Sequence, residues 1–250
     1  MSEPLLAADG LVKRYGGVEA LRGASFTAHA GEVVALIGDN GAGKSTLVKC
    51  LSGTERPDAG TILLRGSPVT FASPLDARAA GVETVYQDLA VAPDLDPAAN
   101  LFLGRELRRS GFLGALGVLD HREMRRRAAM AFEDLGVSLP SLDVPIGALS
   151  GGQRQSVAVA RSVVWANDLV FMDEPTAALG VVQRERVLDV IRRVRDRGIA
   201  VVLISHNMPE VLAVSDRVEV LRLGQRVARF TAADTTVEEL VGAMTGAVES

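Results

Sequence analysis

The sequence predicts an α/β protein organised around a parallel sheet, and three stretches carry that prediction. The apolar run Val33 to Ile37 leads through Gly38-Asp39-Asn40-Gly41-Ala42-Gly43-Lys44-Ser45 into the helical run Thr46-Leu47-Val48-Lys49-Cys50-Leu51. A second apolar run, Leu169 to Met172, ends in Asp173-Glu174-Pro175, and a third, 199–204, ends in Ser205-His206-Asn207. Short apolar runs closed by polar or turn residues are what strands covered on both faces look like in sequence.

Composition narrows the class. A chain of 250 residues can bury a sizeable core and is expected to be one domain, with room for an inserted subdomain. A net charge of −4 gives no global electrostatic reason to expect a nucleic acid partner. The single cysteine, Cys50, cannot form an intrachain disulfide and reads as a small core residue in a protein of a reducing compartment. Met1-Ser2-Glu3-Pro4 lacks the pattern of a signal peptide, and no apolar run approaches the length of a membrane span. The chain is therefore expected to be soluble, with any membrane role reached through a partner.

The glycine-rich stretch makes the sharpest chemical statement. A polyphosphate needs several donors converging on it, and backbone N–H groups approach closely only where side chains are absent. Gly38, Gly41 and Gly43 supply that absence. The positive end of the following helix faces the phosphates, Lys44 can reach the β- and γ-phosphates, and the Ser45 hydroxyl can ligate Mg²⁺. By pattern and by its strand-to-helix context this is a Walker A P-loop.

In chain order, 5–9 and 24–28 read as strands around a turn-like Val12 to Gly17 that contains Tyr15. Tyr15 offers a ring for stacking on adenine; a half-buried strand tyrosine is the plainer alternative. After the P-loop helix, 55–60 reads as a turn, 61–64 as a strand, 66–68 as a turn and 73–80 as a helix. Val82 to Tyr86 is a strand ending at Gln87, which taken alone could be only a polar terminus.

From Asp88 to about Gly147 the pattern changes to helices, including 95–106 and 120–135, and implies a helical insertion in the α/β frame. The arginines at 122, 125, 126 and 127, interspersed with acids, read as a solvated helix face. Leu149-Ser150-Gly151-Gly152-Gln153 precedes a helical run from Arg154 to Trp165. It can serve as a second anion site or simply as an N-cap.

Asp173 and Glu174, at the carboxyl end of a central strand, can hold an Mg²⁺ shell and orient a water. Helix 181–197, strand 199–204 and His206 repeat the same strand-to-helix logic; a histidine there can also be a structural hydrogen-bonder. Residues 217–223 and 225–230 read as a hairpin and 236–244 as a closing helix.

Taken together, Tyr15, the P-loop, Gln87, the Leu149-to-Gln153 run, Asp173-Glu174 and His206 resemble the nucleotide-binding subunit of ABC transporters over nearly the whole chain. The resemblance implies a P-loop NTPase core with an antiparallel β subdomain and an inserted helical subdomain at about 88–165. It implies that Tyr15 stacks on adenine and that Gly38, Asp39, Asn40, Gly41, Ala42, Gly43, Lys44, Ser45 and Thr46 bind ATP phosphates and Mg²⁺. By the same likeness Gln87 senses the γ-phosphate and Mg²⁺, and Ser150, Gly151, Gly152 and Gln153 contact the ATP of an opposite subunit. Asp173 binds the Mg²⁺ shell, Glu174 acts as base and His206 holds the γ-phosphate and attacking water. The implied assembly is a homodimer sandwiching two ATP molecules at the cytoplasmic face of the membrane. It sits on integral-membrane permease subunits, with an extracytoplasmic solute-binding protein upstream and no nucleic acid.

One position departs from the family pattern, because Gly180 stands where an aspartate usually follows Ala177-Ala178-Leu179. That ending, together with Asn100-Leu101-Phe102-Leu103-Gly104-Arg105-Glu106, is similar to the monosaccharide-importer branch, which implies sugar uptake. The competing reading is a soluble ABC-type ATPase acting on nucleic acid or ribosomes. Against it, those relatives generally carry two cassettes or a long coiled-coil insertion. A regulatory module that binds ATP without turnover is disfavoured because Lys44, Asp173, Glu174 and His206 are all present.

Overall fold

The computed structural model describes residues 3–85, 91–177 and 179–247. They fall into two compact units, the first comprising Met1–Val85, Ala166–Glu174 and Val194–Ser250, the second Tyr86–Trp165 and Pro175–Arg193. The first unit opens with β1 (Leu6–Tyr15), β2 (Val18–Ala28), β3 (Val33–Ile37), α1 (Lys44–Leu51), β4 (Ala59–Leu64), β5 (Ser67–Val69), α2 (Pro74–Ala79) and β6 (Val82–Val85). The second unit contributes α3 (Pro97–Phe102), α4 (Phe112–Ala115), α5 (His121–Asp134) and α6 (Gly151–Val163). The chain then forms β7 (Leu169–Asp173), α7 (Val181–Asp196), β8 (Ala200–Ile204), α8 (Met208–Val214), β9 (Arg217–Arg222), β10 (Gln225–Thr231) and α9 (Val237–Thr245).

Two sheets build the first unit. One is antiparallel in the order β2-β1-β4-β5; the other runs β10-β9-β3-β8-β7-β6 and is parallel apart from the β9–β10 hairpin. Every residue of β3 and β8 is buried, which is why both read as continuous apolar runs. The pleat divides β3 between two cores. Val34 and Leu36 pack with Leu47, Phe26, Phe171 and Val202, while Ala35 and Ile37 pack with Val211, Val218 and Leu240. Cys50 is buried in the first of these cores, and burial pushes its thiol up to about 11, so it acts as a small hydrophobe.

Some boundaries differ from the sequence expectation. Strand β1 runs on to Tyr15, and only Gly16-Gly17 turns, because the polar stretch pairs with β2 and is tied at Arg14 N to Asp58 Oδ2 at 2.7 Å. Ser67–Val69 is a short edge strand instead of a turn, a place where Pro68 lacks only a hydrogen bond that an edge does not need. Helix α8 was not anticipated; Asn207 caps it, its side chain accepting from Glu210 N at 3.3 Å.

In the second unit the expected helix 95–106 shortens to α3. Asp96 caps it, accepting from Ala99 N at 2.7 Å with Pro97 in the first turn, and Gly104 at φ 79 follows its end. Helix α5 buries Met124, Ala128 and Phe132 at four-residue spacing and exposes its arginines, with Glu123 paired to Arg126 at 2.6 Å and to Arg127 at 2.7 Å. Trp165 crosses Phe102 edge-on at 5.4 Å and donates to Leu101 O at 2.9 Å. The buried Asn100 side chain accepts from Ala92 N and donates to Ala92 O, fixing the approach to α3.

Candidate nucleotide-binding site

The site in the first unit follows from strand order. Leu36 of β3 pairs with Ile204 of β8, and Ile204 pairs in turn with Asp173 of β7. Three parallel strands therefore end side by side, and each hands the chain to a polar segment on the same edge: the P-loop, Ser205-His206 and Asp173-Glu174. Carboxyl edges of parallel strands are where α/β proteins gather ligand groups.

The P-loop has the shape of a phosphate cradle. Gly43 precedes α1 with φ 101, where a Cβ would stand 2.7 Å from Ala20 O, and a Cβ on Gly38 would overlap Leu221 O. No side chain caps α1. Its amino end is therefore open to an anion in place of a cap. Lys44 is buried and curls back, its Nζ donating to Gly38 O at 2.6 Å and Asp39 O at 3.0 Å. Burial lowers its pKa, and the charges of Glu174, Asp173 and Asp39 resist that shift.

Glu174 is held unusually. Its backbone lies in the left-handed region at φ 50, a costly conformation for a residue with a Cβ, and its N–H donates to Ile204 O at 2.9 Å. The side chain meets His206, Nε2 to Oε1, at 3.6 Å, yet Oε1 is buried without a hydrogen bond. An orphaned buried carboxylate oxygen in such a cleft suits an incoming water or ligand donor. Burial raises the pKa of Glu174, with His206 pulling it back, and burial likewise raises that of Asp173 against Lys44 and His206. The His206 side chain is half exposed, as a group that must meet a ligand can be.

Tyr15 is brought to the same unit's α1. Its hydroxyl interacts with Thr46 and donates to Glu55, and burial followed by Glu55 pushes its pKa up to about 12. The ring is partly exposed and lies 5.6 Å from Lys13 Nζ. Glu55 was not anticipated; forty positions separate it from Tyr15 and no local pattern links them.

Ser150 to Gln153 belong to the second unit. Ser150 caps α6 by accepting from Gln153 N at 3.3 Å, and Gln153 Oε1 accepts from Ser150 N at 2.9 Å, a reciprocal capping box. Helix α6 is tied to the segment after Glu174 by Gln155 Nε2 donating to Pro175 O at 2.7 Å. Gln183 fills the space beside Gly152 and Gly180: a Cβ on Gly180 would stand 2.7 Å from Gln183 Oε1. No sequence pattern points to Gln183. Gln87 lies outside the described residues.

Fold and site together define a P-loop nucleotide-binding protein. The pattern of the family described as ABC transporter matches residues 21–177, and the chain belongs to that family and binds ATP as its members do. The chain is 50% identical over 249 residues to the fructose import ATP-binding protein FrcA of Rhizobium meliloti, covering 99% of this chain and 96% of that one. It is 43% identical over 233 residues to the xylose/arabinose import ATP-binding protein XylG of Sulfolobus acidocaldarius, with coverage of 93% and 90%. Against the ribose import ATP-binding protein RbsA 1 of Burkholderia thailandensis, at 43% identity, the alignment covers 98% of this chain but 47% of that relative. Among solved structures, a nucleotide-free ATP-binding cassette from an ABC transporter superposes with a TM-score of 0.81 at 26% identity, covering 97% of this chain and 96% of that chain. An ATP-binding cassette in its ADP conformation gives 0.80 at 26%, covering 98% and 96%. No helix among the described residues is long and apolar enough to cross a membrane.

Proposed function

We propose that this chain is the ATP-hydrolysing subunit of an ABC import system for a simple sugar, forming one ABC-type domain with a helical subdomain at about 88–165. The observation that carries the reading is the convergence of Lys44, Asp173, Glu174 and His206 at one sheet edge, in a chain whose relatives named above serve fructose, xylose or arabinose, and ribose import.

The amides of Gly41 to Thr46 and the Lys44 ammonium bind the triphosphate, and Tyr15 stacks on the adenine. Ser45, Asp173 and Gln87 would hold Mg²⁺, which would supply charge neutralisation at the phosphates. Glu174 takes a proton from the attacking water, whose oxygen forms the new bond to the γ-phosphorus as the β–γ bridging oxygen leaves with ADP. His206 orients Glu174 and the water. For Lys44 to reach a phosphate it releases the carbonyls of Gly38 and Asp39.

Ser150, Gly151, Gly152 and Gln153 contact the ATP of a second copy, so two chains sandwich two nucleotides. The dimer sits peripherally at the cytoplasmic face on permease subunits fed by an extracytoplasmic binding protein. The test is gentle solubilisation of native membranes, recovery of the tagged chain and assay of ATPase activity with candidate sugars and their binding protein. A polytopic permease and sugar-stimulated turnover are expected. Recovery with ribosomes or nucleic acid instead would overturn the importer reading.

A further inference from the structure

The helical unit carries a small finger that the nucleotide chemistry does not use. Residues 107–109 pair with 118–120 through Arg109 N to Val118 O at 2.9 Å and Asp120 N to Leu107 O at 2.7 Å, and α4 forms the tip. Gly111 at φ 74 and Gly117 at φ 83 bracket α4. A Cβ on Gly114 would overlap Arg109 O, so the tip is folded tightly onto its own stem.

This preformed tip exposes what a folded chain ordinarily covers. Phe112 is 78% exposed and Leu113 46% on α4, and Leu116, which ends it, 64%. A cluster of large apolar side chains on an exposed projection marks a contact surface. Arg108 and Arg109 stand exposed at its base. The nearby acid Glu106 accepts from Gly104 N at 2.9 Å and its charge also acts on Arg108.

We infer that this finger seats in the headgroup region of an anionic lipid surface, Phe112, Leu113 and Leu116 entering the acyl boundary and Arg108 and Arg109 meeting lipid phosphates. An apolar tip with two arginines at its base is the composition of an interfacial anchor, and its binding combines apolar area with attraction to anionic lipid. Charge decides between lipid and protein as occupant. Cytoplasmic loops of membrane proteins carry an excess of lysine and arginine, which would repel Arg108 and Arg109, whereas the cytoplasmic leaflet is negative. The inference rests on the peripheral membrane placement proposed above and adds a direct lipid contact to it.

The test is co-sedimentation of the full chain with phosphatidylcholine vesicles, with and without roughly a third phosphatidylglycerol. Binding only to the anionic vesicles is expected, weakened by added salt. Phe112→Ser with Leu116→Ser should reduce the binding constant by about ten-fold or more. Arg108→Glu with Arg109→Glu should abolish the preference for phosphatidylglycerol, and all proteins should keep the parent ATPase rate. Indifference of the parent chain to anionic vesicles, or equal binding by both variants, overturns the inference. So does loss of a co-purifying permease in the apolar variant when the parent ignores vesicles, since a protein then covers the finger. Vesicle binding through the tip with no permease recovered would keep this inference and remove the importer reading.

Discussion

Two helices of this chain begin with glycine next to a serine or lysine, and their amino ends are finished in opposite ways. At α1 no side chain caps the helix, Gly43 holds a left-handed turn and Lys44 folds back on loop carbonyls. At α6 the Ser150 and Gln153 side chains close a complete capping box. The first end is left open for an outside anion, at a cost in local stability; the second is satisfied by its own side chains. A glycine-containing helix start thus does not by itself announce a phosphate site within its own chain, and the capped α6 is left to meet only a nucleotide brought by a second copy, as proposed above. What distinguishes α1 is the missing cap, the close approach of Gly43 to Ala20 O and the acidic and histidine groups gathered at the adjoining strand ends.

The comparison can be pressed hardest at Glu174. Glu174→Gln should retain ATP binding while slowing hydrolysis by about 10²-fold or more, measured in single turnover. Unimpaired turnover would remove the carboxylate from the mechanism. The same variant reports on stability. Burial raises the Glu174 pKa above its ordinary 4.5, so the folded chain keeps a proton that the unfolded chain releases as pH climbs. Stability from this group is complete below the unfolded value and is lost as pH rises toward the folded one. Glu174→Gln should therefore leave Tm little changed near pH 4 and raise it by about pH 7, as read by calorimetry across that range.

Next in size is the open end itself. Lys44→Ala should weaken ATP affinity by about ten-fold or more, since a buried charge-assisted contact to phosphate is worth about 1.5–3 kcal/mol. Titration calorimetry with a slowly hydrolysed analogue measures it, and unchanged affinity would contradict the phosphate role. The smallest effect belongs to the closed end. Ser150→Ala should cost about 1 kcal/mol and lower Tm by about 2–4 °C, with the affinity of an isolated chain for ATP unaltered. A lost affinity with unchanged Tm would reverse the assignment of the two helix ends.

Much of this was legible in sequence because the features are local. Strands β3, β7 and β8 are short apolar runs, and their ends carry Lys44, Asp173 and His206 within a few residues. Asp120 and Ser150 announce α5 and α6 by their own cap chemistry. The rest depends on pairs far apart in the chain. Lys13 and Arg14 look like turn residues until β1 is seen between β2 and β4, and Glu55 reaches Tyr15 only through the folded first unit. Gln183 is a polar helix residue in sequence, yet it fills the ground beside Gly152 and Gly180. An aspartate at Gly180 would have to displace it.

The left-handed backbone at Glu174 bears on how such a chain ages under mutation. Glycine, asparagine and aspartate are the residues that tolerate that conformation best, and each deletes, neutralises or shortens the carboxylate. The substitutions that relax position 174 are therefore those expected to silence it. A lineage released from the need for turnover would drift toward them and become sturdier as it became inert. On the base role proposed above, a glutamate at φ 50 places turnover in opposition to the ease of its own backbone.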